Sequence, residues 1–196
     1  MESAQDPDKE LIQKIQEGDR LAFNQLVVKY RNRVMGIASR MLGDRVEAED
    51  LAQDVFVKVY HALPGFQGAA LFSTWLYRVT ANSCLNHRRR RIPENQISKE
   101  AGDPEPTLSD PSSNPHHMLE QKELKILLEK AIQSLPEEQR VVLILRDIEG
   151  LSYEEIADSL RLELGTVRSR LHRARLQVQA RIREKFSLDA QRSGRL

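Results

Sequence analysis

An all-α fold of two small helical domains joined by a flexible acidic linker is what this sequence predicts, on three observations. Apolar residues recur at steps of three and four over long stretches in both halves of the chain. Between the halves, residues 93–118 hold five of the eight prolines and five acids against one lysine, a composition that does not build a packed core. Aromatic residues make up only 5% of the 196, with 40% hydrophobic and 30% charged, as in a helical soluble protein. The boundaries that follow are 1–92, a linker over 93–118, a second domain over 119–187 and a disordered tail over 188–196.

The first domain opens with a short amphipathic helix over Asp8–Glu17, inward at Leu11, Ile12 and Ile15 and stopped by Gly18. Asp19 is placed to cap a second helix over Arg20–Leu42. Phe23, Leu26, Val27, Tyr30, Val34, Ile37, Ala38 and Met41 give it one buried side. After the Gly43-Asp44 break a third helix runs Arg45–His61, inward at Ala48, Leu51, Val55 and Val59. Its outside carries Glu47, Glu49, Asp50, Gln53 and Asp54, which suits a helix start and equally a docking face for a basic partner. The turn-rich loop Pro64–Leu71 leads to a fourth helix from Ser73 that ends in four arginines. Phe72, Trp75 and Tyr77, the amides Asn82 and Asn86, and those arginines are the parts of a single-strand-binding surface. Trp75 and Val79, four apart, also fit a plain core stripe.

In the second domain, Leu119, Leu124, Leu127, Leu128, Ala131, Ile132 and Leu135 mark one helix. Pro136 starts the next, with Val141, Val142, Ile144 and Leu145 inward and Gly150 as its stop. Ser152 and Glu155 form a capping box that begins a helix at Tyr153. Arg161–Glu163 make a tight turn, and the last helix follows a seam through Leu164, Val167, Leu171, Ala174 and Val178. Thr166, Arg168, Ser169, His172 and Arg173 lie off that seam, with the donors that reach base edges and phosphates in a major groove. A helical hairpin with a solvated basic face is the other reading of this stretch.

The net charge of +1 hides a strong pattern. Residues 161–183 hold seven arginines against the single acid Glu163, and residues 78–91 hold five arginines and no acid. Two basic patches on a loose acidic tether result. Drawn out, the 26-residue linker spans about 85 Å, but as a coil it averages about 28 Å. DNA sites two helical turns apart, about 70 Å, would need something else to hold the domains apart. No run of apolar residues is long enough to span a bilayer. The polar N-terminus and the single Cys84 give the expectation of a cytoplasmic protein without disulfides. No GxxxxGK or HExxH motif is present and the five histidines fall at no metal spacing, so neither an enzyme, a metal site nor a cofactor is expected.

Three motifs in order resemble a known family. AEDLAQDVFVKVY (48–60), FSTWLYRVTANSCLNHRRR (72–90), and LPEEQRVVLILRDIEGLSYEEIA (135–157) with GTVRSRLHRAR (165–175) are similar to the bacterial RNA polymerase sigma factors of the extracytoplasmic-function (ECF) group. The resemblance spans about Asp8–Phe186 and implies a region 2-like helical bundle followed by a region 4-like helix-turn-helix. It implies that Asp50, Leu51, Gln53, Asp54 and Phe56 face the clamp helices of the polymerase β′ subunit. It also implies that Phe66, Gln67, Gly68, Phe72, Trp75, Arg78, Asn82, Asn86, Arg88 and Arg89 hold the melted downstream promoter element. Thr166, Arg168, Ser169, His172 and Arg173 would read the upstream element as duplex. The implied partners are core RNA polymerase (β′ and β), promoter DNA and an anti-sigma factor, with no integral membrane segment. The chain departs from the family's pattern at Ala69-Ala70-Leu71 after Gly68, at Arg161 where a glycine is common, and at Glu163 in place of a proline. Arg161 is therefore expected at a strained positive φ. The rival reading is a helix-turn-helix regulator that binds duplex DNA without polymerase.

Overall fold

Short polar breaks punctuate this chain, and each sets the end of a helix. The computed structural model describes residues 6–91 and 115–193. Among the described residues eight α-helices follow one another: α1 (Lys9–Gln16), α2 (Arg20–Leu42), α3 (Arg45–Ala62), α4 (Phe72–Arg91), α5 (Pro115–Gln133), α6 (Glu137–Leu143), α7 (Tyr153–Leu160) and α8 (Leu164–Ser193). The Asp19 carboxylate accepts from the backbone N–H groups of Leu21 and Ala22 and starts α2. Gly43 ends it at φ 79, and Asp44 accepts from Glu47 N to start α3.

Two helices extend past the expected bounds. α5 begins at Pro115, inside the stretch expected as linker, because a proline fits the first helical position as well as it fits a loop. α8 continues to Ser193 through residues expected to be disordered, since Leu188, Ala190, Gln191 and Arg192 are all tolerant of helix. The rest of the expected linker, 93–114, lies outside the described residues.

In the first half α2 and α3 form a hairpin crossed by α4. Leu26, Val34, Ile37 and Met41 meet Val55, Val59, Leu76, Ala81 and Cys84, all buried. Burying each Val, Leu, Ile or Met side chain contributes about 1.5–3 kcal/mol. Phe23, expected inside, is only half-buried and sets its ring edge-on to Tyr60 at 4.9 Å. Before α1, Asp6 accepts from Phe72 N at 2.6 Å, and the buried Asp8 binds Tyr30 and Lys29. This clasp ties the start of α4 to α2. Burial, and then the bond to Asp8, pushes the Tyr30 phenol well above its usual range.

In the second half α6 runs into a π-helical turn (Ile144–Ile148), where Glu149 N donates to Ile144 O at 3.0 Å across five residues. Val142, Ile144, Leu145, Ile156, Val167, Leu171 and Ala174 close its core. Leu124, Leu128 and Leu164, expected inside, are substantially exposed.

The two halves share one continuous core, which the expectation of separate modules on a loose tether did not include. Arg140, buried, donates to Met41 O at 2.7 Å and to Leu135 O at 2.8 Å, and it also binds Gln133 O. Met41 O accepts a second bond from Arg88 at 3.2 Å, so side chains satisfy a carbonyl left open by the end of α2. Arg40 pairs with Glu129 at 2.9 Å. Burial, with Arg88 nearby, lowers Arg140 to about 10, so it stays charged at neutral pH.

Candidate docking and nucleic-acid interfaces

Three surfaces collect the residues expected to act. The first is the outside of α3. Asp50, Gln53 and Asp54 are exposed there, but Leu51 is 4% exposed and Phe56 packs half-buried against the core. Leu51 belongs to the inward row with Ala48, Val55 and Val59, and a helix cannot present one side chain on two faces. The solvent side carries instead Val46 (68% exposed), Asp50, Gln53, Val57 (57%) and Tyr60 (40%). Their 4-3-4-3 spacing is the seam with which one helix lies along another. Val46, Val57 and Tyr60 were legible as members of that seam from spacing alone, but three hydrophobic residues are more readily assigned to a core.

The second surface is α4 and the loop before it. Trp75, Arg78, Asn82, Asn86 and Arg89, at steps of three and four, share a face, and the loop brings exposed Gln67 and Gly68 (φ 71) to its start. Phe72 is fully buried, with its ring 5.5 Å from Tyr30, 6.0 Å from Phe66 and 5.7 Å from Trp75. Its side chain is a core anchor for this cluster and offers no surface for stacking a base. Phe66 and Trp75 are half-buried, their centroids 5.2 Å apart. Arg88 turns away toward Met41 O. Along the shared face, Arg78 Nη1 binds Asp158 Oδ2 of α7 at 2.9 Å, Asn82 Nδ2 donates to Ser159 O at 3.2 Å, and Thr74 Oγ1 donates to Glu155 Oε1 at 2.9 Å. Asn86 and Arg89 stay exposed. The contribution of Glu155 and Asp158 was missed in the sequence, where Glu155 has a sufficient reason in the cap and Asp158 is one acid among many.

The third surface is the helix-turn-helix. Ser152 N donates to Glu155 Oε2 at 2.7 Å and Glu155 N to Ser152 Oγ at 3.1 Å, the expected capping box. Glu155 is partly buried, which pulls its pKa up, but the bonds from Ser152 and Thr74 outweigh this and hold the carboxyl below its usual value. Arg161 ends α7 at φ 54, the left-handed conformation expected of it. Val167, Leu171 and Ala174 then bury one side of α8, with Val178 half-buried. Arg168, Ser169, His172 and Arg173 are exposed on the other side, with Thr166 half-exposed at its edge. Two neighbouring arginines are committed elsewhere. Arg170 binds Glu138 at 2.6 Å, and Arg175 makes a two-pronged bond to Asp147 at 2.9 and 2.6 Å. Arg168 and Arg173 make no ion pair with a described residue.

Along α8, Leu128, Ile132, Leu143, Ile148, Leu176 and Ile182, with the polar Asp147, His172 and Arg175 among the other lining residues, form a mainly apolar groove of about 570 Å³. No cluster of metal-ligating side chains occurs among the described residues, and no described helix is long and apolar enough to cross a membrane. Cys84 is buried, and burial pushes its thiol up to about 12.

Comparison with known proteins matches two family descriptions in series: Sigma-70 region 2 over residues 26–92 and Sigma-70, region 4 over residues 125–178. The RNA polymerase sigma-H factor of Pseudomonas aeruginosa is 41% identical over 177 residues, 87% of this chain and 91% of that one. The ECF RNA polymerase sigma-E factor of Escherichia coli K12 is 38% identical over 182 residues, 88% and 93%. Among solved structures, CnrH in complex with the cytosolic domain of CnrY aligns with a TM-score of 0.62 at 25% identity, over 90% of this chain and 97% of that one. The sigma factor RpoE in complex with the anti-sigma factor NepR from Bartonella quintana shares the fold, with a TM-score of 0.67 at 24% identity over 82% and 96%.

Proposed function

The chain belongs to the ECF group of bacterial RNA polymerase sigma factors, and from that premise we propose how its surfaces divide the work of promoter-specific initiation. The seam of α3, at Asp50, Gln53 and Asp54 with Val46, Val57 and Tyr60, docks on the clamp helices of the β′ subunit. The face of α4 formed by Trp75, Arg78, Asn82, Asn86 and Arg89, with the loop Phe66–Gly68, takes the melted strand of the downstream element. Phe72 and Arg88 support that face from beneath. Arg168, Ser169, His172 and Arg173, with Thr166 at their edge, enter the major groove of the upstream element. The groove along α8 is the docking surface for the β subunit. Work of this kind places the protein in the cytoplasm, beside its polymerase.

One observation carries the reading: region 2 and region 4 matches follow one another along the chain and fall on the α2–α4 bundle and the α5–α8 unit. A regulator that acts without polymerase would have no use for the first. Two of the similar solved proteins are described as complexes with an anti-sigma factor or a partner's cytosolic domain. An anti-sigma partner that competes for the α3 seam and the α8 groove would hold this chain inactive.

The test is retention on immobilised core polymerase together with promoter transcription in vitro. Asp50→Arg puts a cation where an anion meets a basic partner and should weaken retention by about tenfold or more. Arg173→Ala should leave retention intact and cost about 1–3 kcal/mol at the upstream element. Equal loss of retention in both variants would contradict this division.

A further inference from the structure

The loop that leads into α4 is held at both ends by α1 and by the residues just before it. At its start, Gln16, the last residue of α1, donates through Nε2 to Leu63 O at 3.1 Å and to Phe66 O at 3.0 Å. Both amide hydrogens are engaged there, although Gln16 itself is exposed. At the loop's end, Asp6 Oδ2 accepts from Phe72 N at 2.6 Å and Oδ1 from Asp8 N at 2.9 Å. Leu71, which precedes α4, has no side-chain acceptor. Asp6 therefore satisfies, from across the fold, one of the N–H groups that a helix start leaves open. Buried Asp8 binds Lys29 and Tyr30, and the Tyr30 ring stands edge-on to Phe72 at 5.5 Å. These contacts fix two peptide planes, Phe66–Gln67 through its carbonyl and Leu71–Phe72 through its N–H. Only residues 67–71 lie between them, with Gln67, Gly68, Ala69 and Ala70 exposed and Gly68 at φ 71. So short a span loses most of its freedom before any strand arrives.

Resting on the reading that this loop takes part of the melted strand, we propose that Gln16 and Asp6 are positioning residues for promoter reading, which hold the loop in the shape that selects one unpaired base. They act through backbone bonds and not through contact with the strand. Their loss loosens the base site and leaves its side chains unchanged. A loosened site loses discrimination before it loses binding, because phosphate contacts hold a strand whatever its sequence. The packing of α1 on α2 comes from Ile12 and Ile15. Gln16 has no part in that packing, so its two bonds can be removed without opening the core.

The experiment uses the full chain assembled with core polymerase and a pool of duplexes with a bubble whose non-template strand is randomised. Strands retained by each holoenzyme are sequenced, and the base preference at every bubble position is compared. Gln16→Met keeps side-chain length and helix propensity and removes both donors. Gln13→Met makes the same change one turn earlier, at an exposed amide that faces Glu17. Gln16→Met should flatten the preference at one position by about fivefold and leave the other positions unchanged. Gln13→Met should alter none. Asp6→Ala should flatten the same position, and Asp6→Asn, which keeps an acceptor for Phe72 N, should restore most of it. A role in stability alone would lower retention evenly without changing the preferred sequence, and that result overturns the proposal. Flattening by Gln13→Met overturns it as well. Gly68→Val moves the loop directly, since a β-branched residue does not hold a positive φ. If Gly68→Val leaves every preference unchanged, the loop does not hold the strand, and that reading fails together with the proposal. If Gly68→Val alters one position and Gln16→Met alters none, positioning by α1 alone is refuted.

Discussion

Both basic faces of the molecule are built from a helix with an arginine-rich exposed side, yet they differ in what they touch. On α8, Arg170 and Arg175 are drawn into pairs with Glu138 and Asp147, while Arg168, His172 and Arg173 stay exposed. On α4 the opposite holds: Arg78 and Asn82, central to its face, are engaged by α7. A duplex is available to a free protein at any promoter, whereas a melted strand exists only inside an open polymerase complex. A face for duplex can stand ready, and a face for unpaired bases is the one that benefits from being shut.

The largest expected effect removes one side of the comparison. Leu171→Ala leaves a cavity beneath the α8 face and should cost about 2–5 kcal/mol by urea denaturation, with loss of duplex binding. Next, Arg140→Met removes a bond from each of the Leu135 and Gln133 carbonyls and leaves Met41 O to Arg88 alone at the joint between the halves. It should lower stability by about 1–3 kcal/mol in urea denaturation. Arg161→Gly sharpens the α8 side alone. Relief of the left-handed residue should raise stability by about 1 kcal/mol, without change in the binding of a single dT20 strand.

The smallest effect is in pH. Glu155 has a folded pKa below the ordinary carboxylate value of 4.5. Its contribution is therefore complete above 4.5 and is lost as pH falls through the lower folded value. A melting series from pH 7 to 3 should show Glu155→Gln lowering Tm at neutral pH and converging on the wild type at the acid end.

The helices were legible where local chemistry decides them. Asp19 and Gly43 fix α2 to the residue, and Ser152 with Glu155 fixes α7. The left-handed conformation of Arg161 followed from the family resemblance, which puts a glycine at that place in the turn. The faces of α3 were harder, because Leu51 and Phe56 sit within a motif whose neighbours are exposed, and only the helical period separates inner residues from outer. The exposure of Leu124 and Leu128 depends on how much of α5 its neighbours cover, which spacing does not encode. Least legible was the meeting of α4 and α7. It joins residues about 80 apart through isolated polar groups, with no repeat to announce it.

The central claim is that polymerase draws apart two halves that pack together when free. Cysteines at the exposed Asn24 and Gln177 can carry spin labels, since buried Cys84 with its raised pKa resists modification. Pulsed dipolar spectroscopy of the free chain should give one narrow distance, replaced on addition of core polymerase by a separation longer by tens of ångströms, toward the roughly 70 Å between sites two helical turns apart. The same narrow distance in the presence of bound polymerase would contradict the account.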